Sequence, residues 1–273
     1  MNGTRRRRRL LAGLTVTLLA VGLTSCVEST KPQGKTDKAG ITLVKKGQLT
    51  ACTSLPYKPY EFAKNGKTVG FEVDVMSLLA KDLGVKQEII DTPWGGIVSG
   101  EDFNTGKCDV AYGGMTITDK RAKVVDFSKP YFDVKQSLLV KKGSGIDGLA
   151  KLKGKKLGVQ LDTTGKIFGE EHKDKYGYTT VDFEDFALLT TAVRIGRVQA
   201  SMADSGILSY YVSQHPNTTI GAEYDVGEQL GFAVKQGNKA LLDEMNKVVN
   251  KAKKDGTYDK LYKKWFGTAP PQE

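Results

Sequence analysis

Residues 113–132 read GGMTITDKRAKVVDFSKPYF, and the short apolar run VAY at residues 110–112 precedes them. The apolar run predicts a buried strand, and the paired glycines that follow it let the backbone lie close to a small molecule. Two threonines then supply hydroxyl groups, and Arg121 supplies a planar guanidinium suited to a carboxylate. Taken alone, these residues fit either half of a binding site or a strand-to-helix turn with a capping threonine and a solvent-facing arginine.

The order of motifs in this stretch resembles the bacterial extracellular solute-binding proteins of family 3, which serve ABC importers of polar amino acids. These include the glutamine-binding and the lysine/arginine/ornithine-binding proteins. The family hallmark G-x-T-x-T-x-x-R, followed by D-F-S-x-P-Y, occurs here at residues 114–121 and 126–131. The resemblance continues through GFEVDV at 70–75 to KWFG at 264–267 and covers residues 47–267. It implies an α/β fold of the type II periplasmic-binding-protein class, with two α/β lobes joined by a two-strand hinge.

The composition is that of an ordinary globular protein. The chain has 273 residues, of which 39% are hydrophobic and 26% charged, enough for one large or two modest cores. The formal net charge is +10, but the five arginines at residues 5–9 lie in a segment that we expect to be removed. Without them, 36 basic residues face 31 acidic ones, a net charge of +5. Because the lysines are scattered along the chain, we do not expect nucleic-acid binding.

The first residues have the pattern of an export signal. The basic block at residues 5–9 is followed by an apolar run at residues 10–23, which is shorter than the roughly 20 residues that span a bilayer as a helix. The sequence LTSC at residues 23–26 resembles a lipobox, in which cleavage leaves Cys26 as an acylated N-terminus. The alternative is ordinary signal cleavage near an unrelated cysteine, and the arginine block leaves Sec and Tat export both open.

We therefore divide the chain into five segments. They are a signal peptide at 1–25, a disordered tether at 26–40 after lipidated Cys26, lobe 1 at 41–133, lobe 2 at 134–229, and a return to lobe 1 with C-terminal helices at 230–273. The tether is polar and almost free of apolar side chains, which favours disorder. This arrangement predicts an exported protein held by a lipid anchor on the outer face of the cytoplasmic membrane.

The family resemblance implies a ligand site that draws on both lobes. Arg121 is expected to bind the carboxylate of a free amino acid, and Asp204 its α-ammonium group. Tyr57 and Trp94 are expected to form two aromatic walls around the side chain of the ligand. The complete set of expected substrate-binding residues is Ser54, Tyr57, Trp94, Gly114, Thr116, Arg121, Thr163, Thr164 and Asp204.

Two departures from the family pattern concern the identity of the ligand. Ser54 stands where several relatives have an aspartate, which favours glutamine or another uncharged polar amino acid. Asp162 stands where the family usually has a glycine. It is either a local capping residue or a negative charge near the side chain of the ligand, and the second alternative leaves a cationic ligand open.

The three cysteines of the chain divide into one lipid attachment residue and one pair. If Cys26 is lipidated, Cys52 and Cys108 remain as an even pair in an oxidising compartment. They lie on strands that the family fold places side by side, so a disulfide between them is open. The register of the strands decides whether their Cα atoms come within reach.

Several other functions find little support in the sequence. We expect no cofactor and no metal, because His172 and His215 have no metal-ligand spacing and the usual nucleotide-binding, hydrolase and metalloprotease motifs are absent. The expected partners are a free amino acid, the permease subunits of an ABC transporter and the membrane; we expect a monomer. Two alternatives on the same fold are a sensor input domain and a cyclohexadienyl dehydratase-like enzyme with Glu61 or Asp162 as its acid.

Overall fold

The computed structural model describes residues 34–35 and 40–270. The predicted signal peptide, Cys26 and most of the predicted tether lie outside these residues. The strands are β1 Gly34–Lys35, β2 Thr42–Leu43, β3 Gln48–Thr53, β4 Phe62–Lys64, β5 Lys67–Val69, β6 Lys86–Asp91, β7 Val110–Ala111, β8 Val125–Phe127, β9 Phe132–Lys141, β10 Lys156–Gln160, β11 Thr179–Phe183, β12 Ala200–Asp204, β13 Thr218–Leu230 and β14 Ala233–Lys235.

Helices connect most of these strands. They are α1 Phe71–Asp82, α2 Trp94–Val98, α3 Glu101–Asn104, α4 Thr164–Tyr176, α5 Phe186–Ile195, α6 Ser205–Gln214, α7 Lys239–Lys254 and α8 Thr257–Phe266, with 3-10 turns at Arg121–Lys123 and Leu149–Leu152. Among the described residues, no helix has the length and apolar character needed to span a bilayer.

Two five-stranded sheets organise the structure. The first has the order β6-β3-β7-β14-β8 and the second the order β11-β10-β12-β9-β13. In each sheet the first three strands in this order are parallel to their neighbours, the fourth is antiparallel to the third, and the fifth is antiparallel to the fourth. Because the carboxyl ends of parallel strands meet at one edge of a sheet, each sheet presents three loops at the same edge.

Two long strands of the second sheet lead to and from the first. β9 and β13 pair antiparallel along their length, and Phe132 at the start of β9 lies opposite Leu230 at the end of β13. Leu230 also forms a bridge with Thr116, which follows β7 of the first sheet. The expected α/β fold, with two sheets joined by two strands, is confirmed; the residue ranges given for the two lobes stay predictions.

The sequence signatures GFEVDV at 70–75 and KWFG at 264–267 lie far apart in the chain but contact each other in the fold. Phe71 at the start of α1 packs edge to face against Tyr258, Tyr262 and Phe266 of α8, with ring centroids 5.3 to 5.9 Å apart. The carboxylate of Asp74 accepts hydrogen bonds from Lys264 Nζ at 2.6 Å and from the indole nitrogen of Trp265 at 2.7 Å. The C-terminal helix therefore closes the core of the first sheet.

Cys52 and Cys108 are joined by a disulfide, with Cα atoms 5.7 Å apart. Cys52 lies in β3 opposite Ala111 of β7, and Cys108 is three residues before that position, so the parallel pairing of these strands brings the two cysteines together. The disulfide closes a loop between residues 56 positions apart. It ties together the two strands that lead into the loops at residues 54–57 and 113–116.

Removing this disulfide should destabilise the protein. The Cys52→Ala/Cys108→Ala variant should lose about 2 to 4 kcal/mol of unfolding free energy, because the unfolded chain regains the entropy that the closed loop removed. Urea unfolding followed by circular dichroism measures this loss. Reductant should lower the stability of the wild type to a similar value and leave the variant unchanged; equal stability of variant and oxidised wild type would contradict the prediction.

Candidate binding site at the facing edges of the two sheets

A cavity lies where the parallel strands of both sheets end. It encloses about 590 Å³ of space that is not filled by protein atoms, part of which is open to solvent. The structure brings all nine expected substrate-binding residues to its lining: Ser54, Tyr57, Trp94, Gly114, Thr116, Arg121, Thr163, Thr164 and Asp204. The lining also includes residues that sequence reasoning missed, among them Gln160, Asp185, Phe186 and Met202.

Arg121 is buried at the first-sheet side of this cavity. Its side chain is held by main-chain oxygens: Nη1 donates to the carbonyl of Thr116 at 2.8 Å and Nη2 to the carbonyl of Asp162 at 2.9 Å. The guanidinium also lies 5.4 Å from the ring centre of Trp94. Burial lowers the pKa of Arg121, and the nearby charges of Asp204 and Glu228 act in the opposite direction. An arginine keeps its charge at neutral pH, and no carboxylate of the described residues forms an ion pair with this one.

Asp204 is the buried acid at the second-sheet side. It ends β12, and its Oδ1 atom accepts a hydrogen bond from Gln136 Nε2 at 2.8 Å. Burial and, to a smaller extent, the negative charge of Glu228 raise the pKa of Asp204 to about 7, against the opposite effects of Gln136 and Arg121. A carboxylate in this environment gains strongly from any cation that enters the cavity.

Gln136 and Glu228 extend the site onto the connecting strands. Gln136 Nε2 lies 2.6 Å from Glu228 Oε2 and 3.2 Å from Thr164 Oγ1, besides its contact with Asp204. The hydroxyl of Thr164 also lies 3.2 Å from Glu228 Oε2. Gln136 is fully buried in strand β9, and no sequence motif marked this position.

The carbonyl of Asp162 joins loops from the two sheets. It accepts hydrogen bonds from Arg121 and, at 3.1 Å, from the indole nitrogen of Trp94. Asp162 has a φ of +59°, in the left-handed region that favours glycine. It does not line the cavity, and Thr163 instead caps α4 by accepting a hydrogen bond from Lys166 N. The cap of α4 is therefore made by Thr163 and not by Asp162, whereas the negative charge of Asp162 does act on Arg121.

The paired glycines make room for the aromatic walls. A Cβ atom at Gly113 would lie 2.9 Å from the ring of Trp94, and one at Gly114 would lie 2.7 Å from the ring of Tyr57. Gly114 also has a φ of +59°, which an L side chain rarely adopts. Only glycines therefore allow both rings to reach the floor of the cavity. The ring of Tyr57 in turn meets Phe186 of the second sheet at a centroid distance of 5.6 Å.

The model for bacterial extracellular solute-binding proteins, family 3, matches residues 49–268 of this chain. The chain belongs to this family. The arginine-binding extracellular protein ArtP of Bacillus subtilis (strain 168) is 31% identical to this family 3 protein over 223 residues, which cover 81% of this chain and 87% of ArtP. The ABC transporter glutamine-binding protein GlnH of the same organism is 35% identical over 211 residues, 76% of each chain.

Solved structures have the same fold as this family 3 protein. The crystal structure of the ancestral amino acid-binding protein AncCDT-1, described as a precursor of cyclohexadienyl dehydratase, superposes with a TM-score of 0.73. Its sequence is 40% identical, and the match covers 81% of this chain and 95% of that one. The part of the chain that the structure describes contains no group of three or more His, Cys, Asp or Glu side chains placed to hold a metal ion.

Beneath the cavity of this family 3 protein lies a buried pair of carboxyl groups. Glu61 and Glu72 are both fully buried, and neither carboxyl oxygen of Glu61 has a hydrogen-bond partner among the described residues. Two buried carboxyl groups that interact repel each other when both are charged, so the protonated form of one of them is favoured. Burial raises the pKa of Glu61 well above its usual value, and the charge of Glu72 raises it further. Burial and the charge of Glu72 therefore both favour the protonated form of Glu61.

The pair supports the glycine floor without entering the cavity. Glu72 accepts hydrogen bonds from the amide of Gly114, at 3.1 Å, and from the hydroxyl of Tyr131. The amide of Gly114 is thus already occupied by a protein acceptor. Glu61 is not among the residues that line the cavity, so it is not placed to act as the acid of a dehydratase.

Replacing Glu61 with glutamine should flatten the pH dependence of stability. Because its pKa is raised in the folded state, the stabilisation from the Glu61 proton is complete below the unfolded value of 4.5 and is lost as the pH rises through the folded pKa. As the pH rises above 4.5, the unfolding free energy of the wild type should therefore fall more steeply than that of Glu61→Gln, by up to about 1.4 kcal/mol per pH unit.

Urea unfolding at several pH values tests this, with Glu101→Gln as the matched control. Glu101 is an exposed glutamate at the start of α3, outside the cavity. The control should follow the wild type. Parallel pH profiles of Glu61→Gln and the wild type would show that Glu61 holds no proton in the folded state.

Proposed function

We propose that this chain is the substrate-binding lipoprotein of an ABC importer, which captures a polar amino acid by hinge closure and delivers it to a membrane permease. One observation carries the proposal. Arg121 and Asp204 have opposite charges, belong to different sheets or their connections, and line the same cavity without contacting each other in an ion pair.

A free amino acid complements this pair because it carries both charges. Its carboxylate would bind Arg121 and its ammonium group Asp204, each through charge-assisted hydrogen bonds. Leaving one partner of a buried ion pair uncompensated costs about 3 to 5 kcal/mol. Without ligand, the two sheets should therefore favour an open and hydrated arrangement, and a ligand that bridges both groups selects the closed one. A permease can then distinguish loaded from empty protein by shape.

The other lining residues have roles that fit this ligand. Tyr57 and Trp94 would pack against its side chain, and the hydroxyls of Thr116, Thr163 and Thr164 would hydrogen-bond its polar atoms. Gly114 would let the ligand approach the backbone, and Ser54 would face its side chain. Relatives named for arginine and for glutamine both match this chain, which supports a polar amino acid as ligand.

We propose binding and not catalysis for this cavity. The two acids that the sequence offered for dehydratase chemistry, Glu61 and Asp162, do not line it. The likeness to a precursor of cyclohexadienyl dehydratase concerns a protein that is itself described as amino acid-binding. Turnover of prephenate or arogenate to an aromatic product by the purified protein would contradict this choice.

We propose further that residues 1–25 are a signal peptide and that lipidated Cys26 and a tether to residue 40 hold the protein on the outer face of the cytoplasmic membrane. Membership of an extracellular family supports export. The protein would act as a monomer, with lobe 1 at 41–133, lobe 2 at 134–229 and a return to lobe 1 at 230–273. The two sheets and their two connecting strands support this division.

Removing the guanidinium should weaken binding. Arg121→Ala should lose at least a factor of ten in affinity for the amino acid that binds the wild type, about 1.4 kcal/mol, because the ligand carboxylate is left without its counter-charge. Isothermal titration calorimetry after a thermal-shift screen of the twenty amino acids measures this. Arg194→Ala, which removes an exposed arginine outside the cavity, should bind as the wild type does; unchanged affinity of Arg121→Ala would refute the assignment.

Removing the acylation site should release the protein. Cys26→Ala should appear in the soluble fraction of expressing cells, because a tethered domain without its acyl chains has no membrane anchor. Ser25→Ala, which keeps the cysteine, should remain with the membranes. Membrane retention of Cys26→Ala in the same fractionation would rule out lipid anchoring at this residue.

A further inference from the structure

We propose that this cavity selects an amino acid with a cationic side chain and that Asp185 is the residue that selects it. The inference rests on the proposed function, because it concerns the side chain of the same ligand. Sequence reasoning did not include Asp185 among the expected substrate-binding residues and favoured an uncharged ligand because Ser54 replaces an aspartate. The structure places an acid in the cavity from the opposite sheet.

Asp185 combines a fixed orientation with a free acceptor. It follows β11, precedes α5 and lines the cavity with a half-buried side chain. Its Oδ1 atom accepts a hydrogen bond from Leu188 N at 2.7 Å and so caps the helix. Its other carboxylate oxygen has no hydrogen-bond partner among the described residues. One oxygen thus holds the side chain in place while the other is available to a ligand.

Asp185 lies apart from the charges that would hold the head group of the ligand. The carboxylates whose charges act most strongly on Arg121 are those of Asp204, Glu228 and Asp162, and the one that acts most strongly on Asp204 is that of Glu228. Asp185 is not among them. It adjoins Phe186, whose ring meets that of Tyr57 across the cavity. Asp185 is therefore placed toward the side chain of a ligand whose head group lies at Arg121 and Asp204.

The charge of the lining favours a cation. Its charged residues are Arg121, Asp185 and Asp204, one guanidinium and two carboxylates, so the lining carries a net charge of −1. A ligand with an uncharged side chain leaves that charge uncompensated in a partly desolvated site, and an acidic side chain adds to it. A lysine-like or arginine-like side chain neutralises it.

The neighbouring groups also suit a guanidinium. Gln160 Nε2 donates to the carbonyl of Glu184 at 3.4 Å, which leaves the amide oxygen of this lining residue as an acceptor. The hydroxyl of Ser54 can accept as well. Aromatic faces such as those of Tyr57 and Phe186 attract cations. The five N–H donors of a guanidinium would thus have three acceptors in this part of the cavity. These are the free carboxylate oxygen of Asp185, the amide oxygen of Gln160 and the hydroxyl of Ser54.

The test compares arginine with citrulline, which replaces the guanidinium by an uncharged group of the same shape. Calorimetry on the full mature protein should give at least tenfold tighter binding of arginine than of citrulline. In Asp185→Asn the ratio should fall to within about threefold, because asparagine keeps the helix cap but removes the charge. Glu184→Gln removes an exposed charge one residue away and should keep the wild-type ratio.

Each outcome decides between the two proposals. If no amino acid binds the wild type, the proposed function fails. If an amino acid binds but citrulline or glutamine binds as tightly as arginine, or if Asp185→Asn keeps the wild-type ratio, the proposed function stands and the role of Asp185 is overturned. Thermal unfolding checks that Asp185→Asn is folded. If the variant is not folded, the ratio of arginine to citrulline affinity in the wild type alone decides whether the cavity prefers a cationic side chain.

Discussion

The central constraint on this protein is the burial of two opposite charges that do not neutralise each other by contact. Arg121 and Asp204 are each 7% exposed. The guanidinium is held by carbonyl oxygens, and the carboxylate is held by the amide of Gln136. Such charges are costly to desolvate separately, so the arrangement is stable only with a ligand that satisfies both or with water in the cavity. The proposed hinge closure would follow from this requirement.

The fold meets this constraint by repeating one layout. Both sheets place three parallel strands in the same order, and all six of those strands end at the cavity. The edge strand of the first sheet leads to Trp94, and the edge strand of the second leads to Phe186, so each half supplies one aromatic ring from an equivalent position. The disulfide and the carboxyl pair of Glu61 and Glu72 then fix the strand ends of the first sheet under the glycine floor.

Sequence reasoning located the part of the site that lies in contiguous motifs. Gly114, Thr116 and Arg121 belong to one stretch. Because they closely follow a predicted strand, the sequence already predicts that they line the same binding site. Asp185 lies in no motif and was missed, although it follows the parallel strand β11 and so lies at the edge of the sheet where ligands bind. Gln136 and Glu228 were not predictable, because their contact depends on the register and the bulges of β9 and β13.

The protonation of Asp204 offers the most direct measurement of how the ligand is held. A carboxylate with a pKa of about 7 must lose its proton before it can bind an ammonium group. The affinity for the bound amino acid, measured by calorimetry, should therefore be constant at alkaline pH and fall roughly tenfold per pH unit below about pH 7, with release of a proton on binding. Asp204→Asn should bind weakly and without this pH dependence. An affinity of the wild type that stays flat from about pH 5 to pH 8 would show that the ammonium group of the ligand does not meet Asp204.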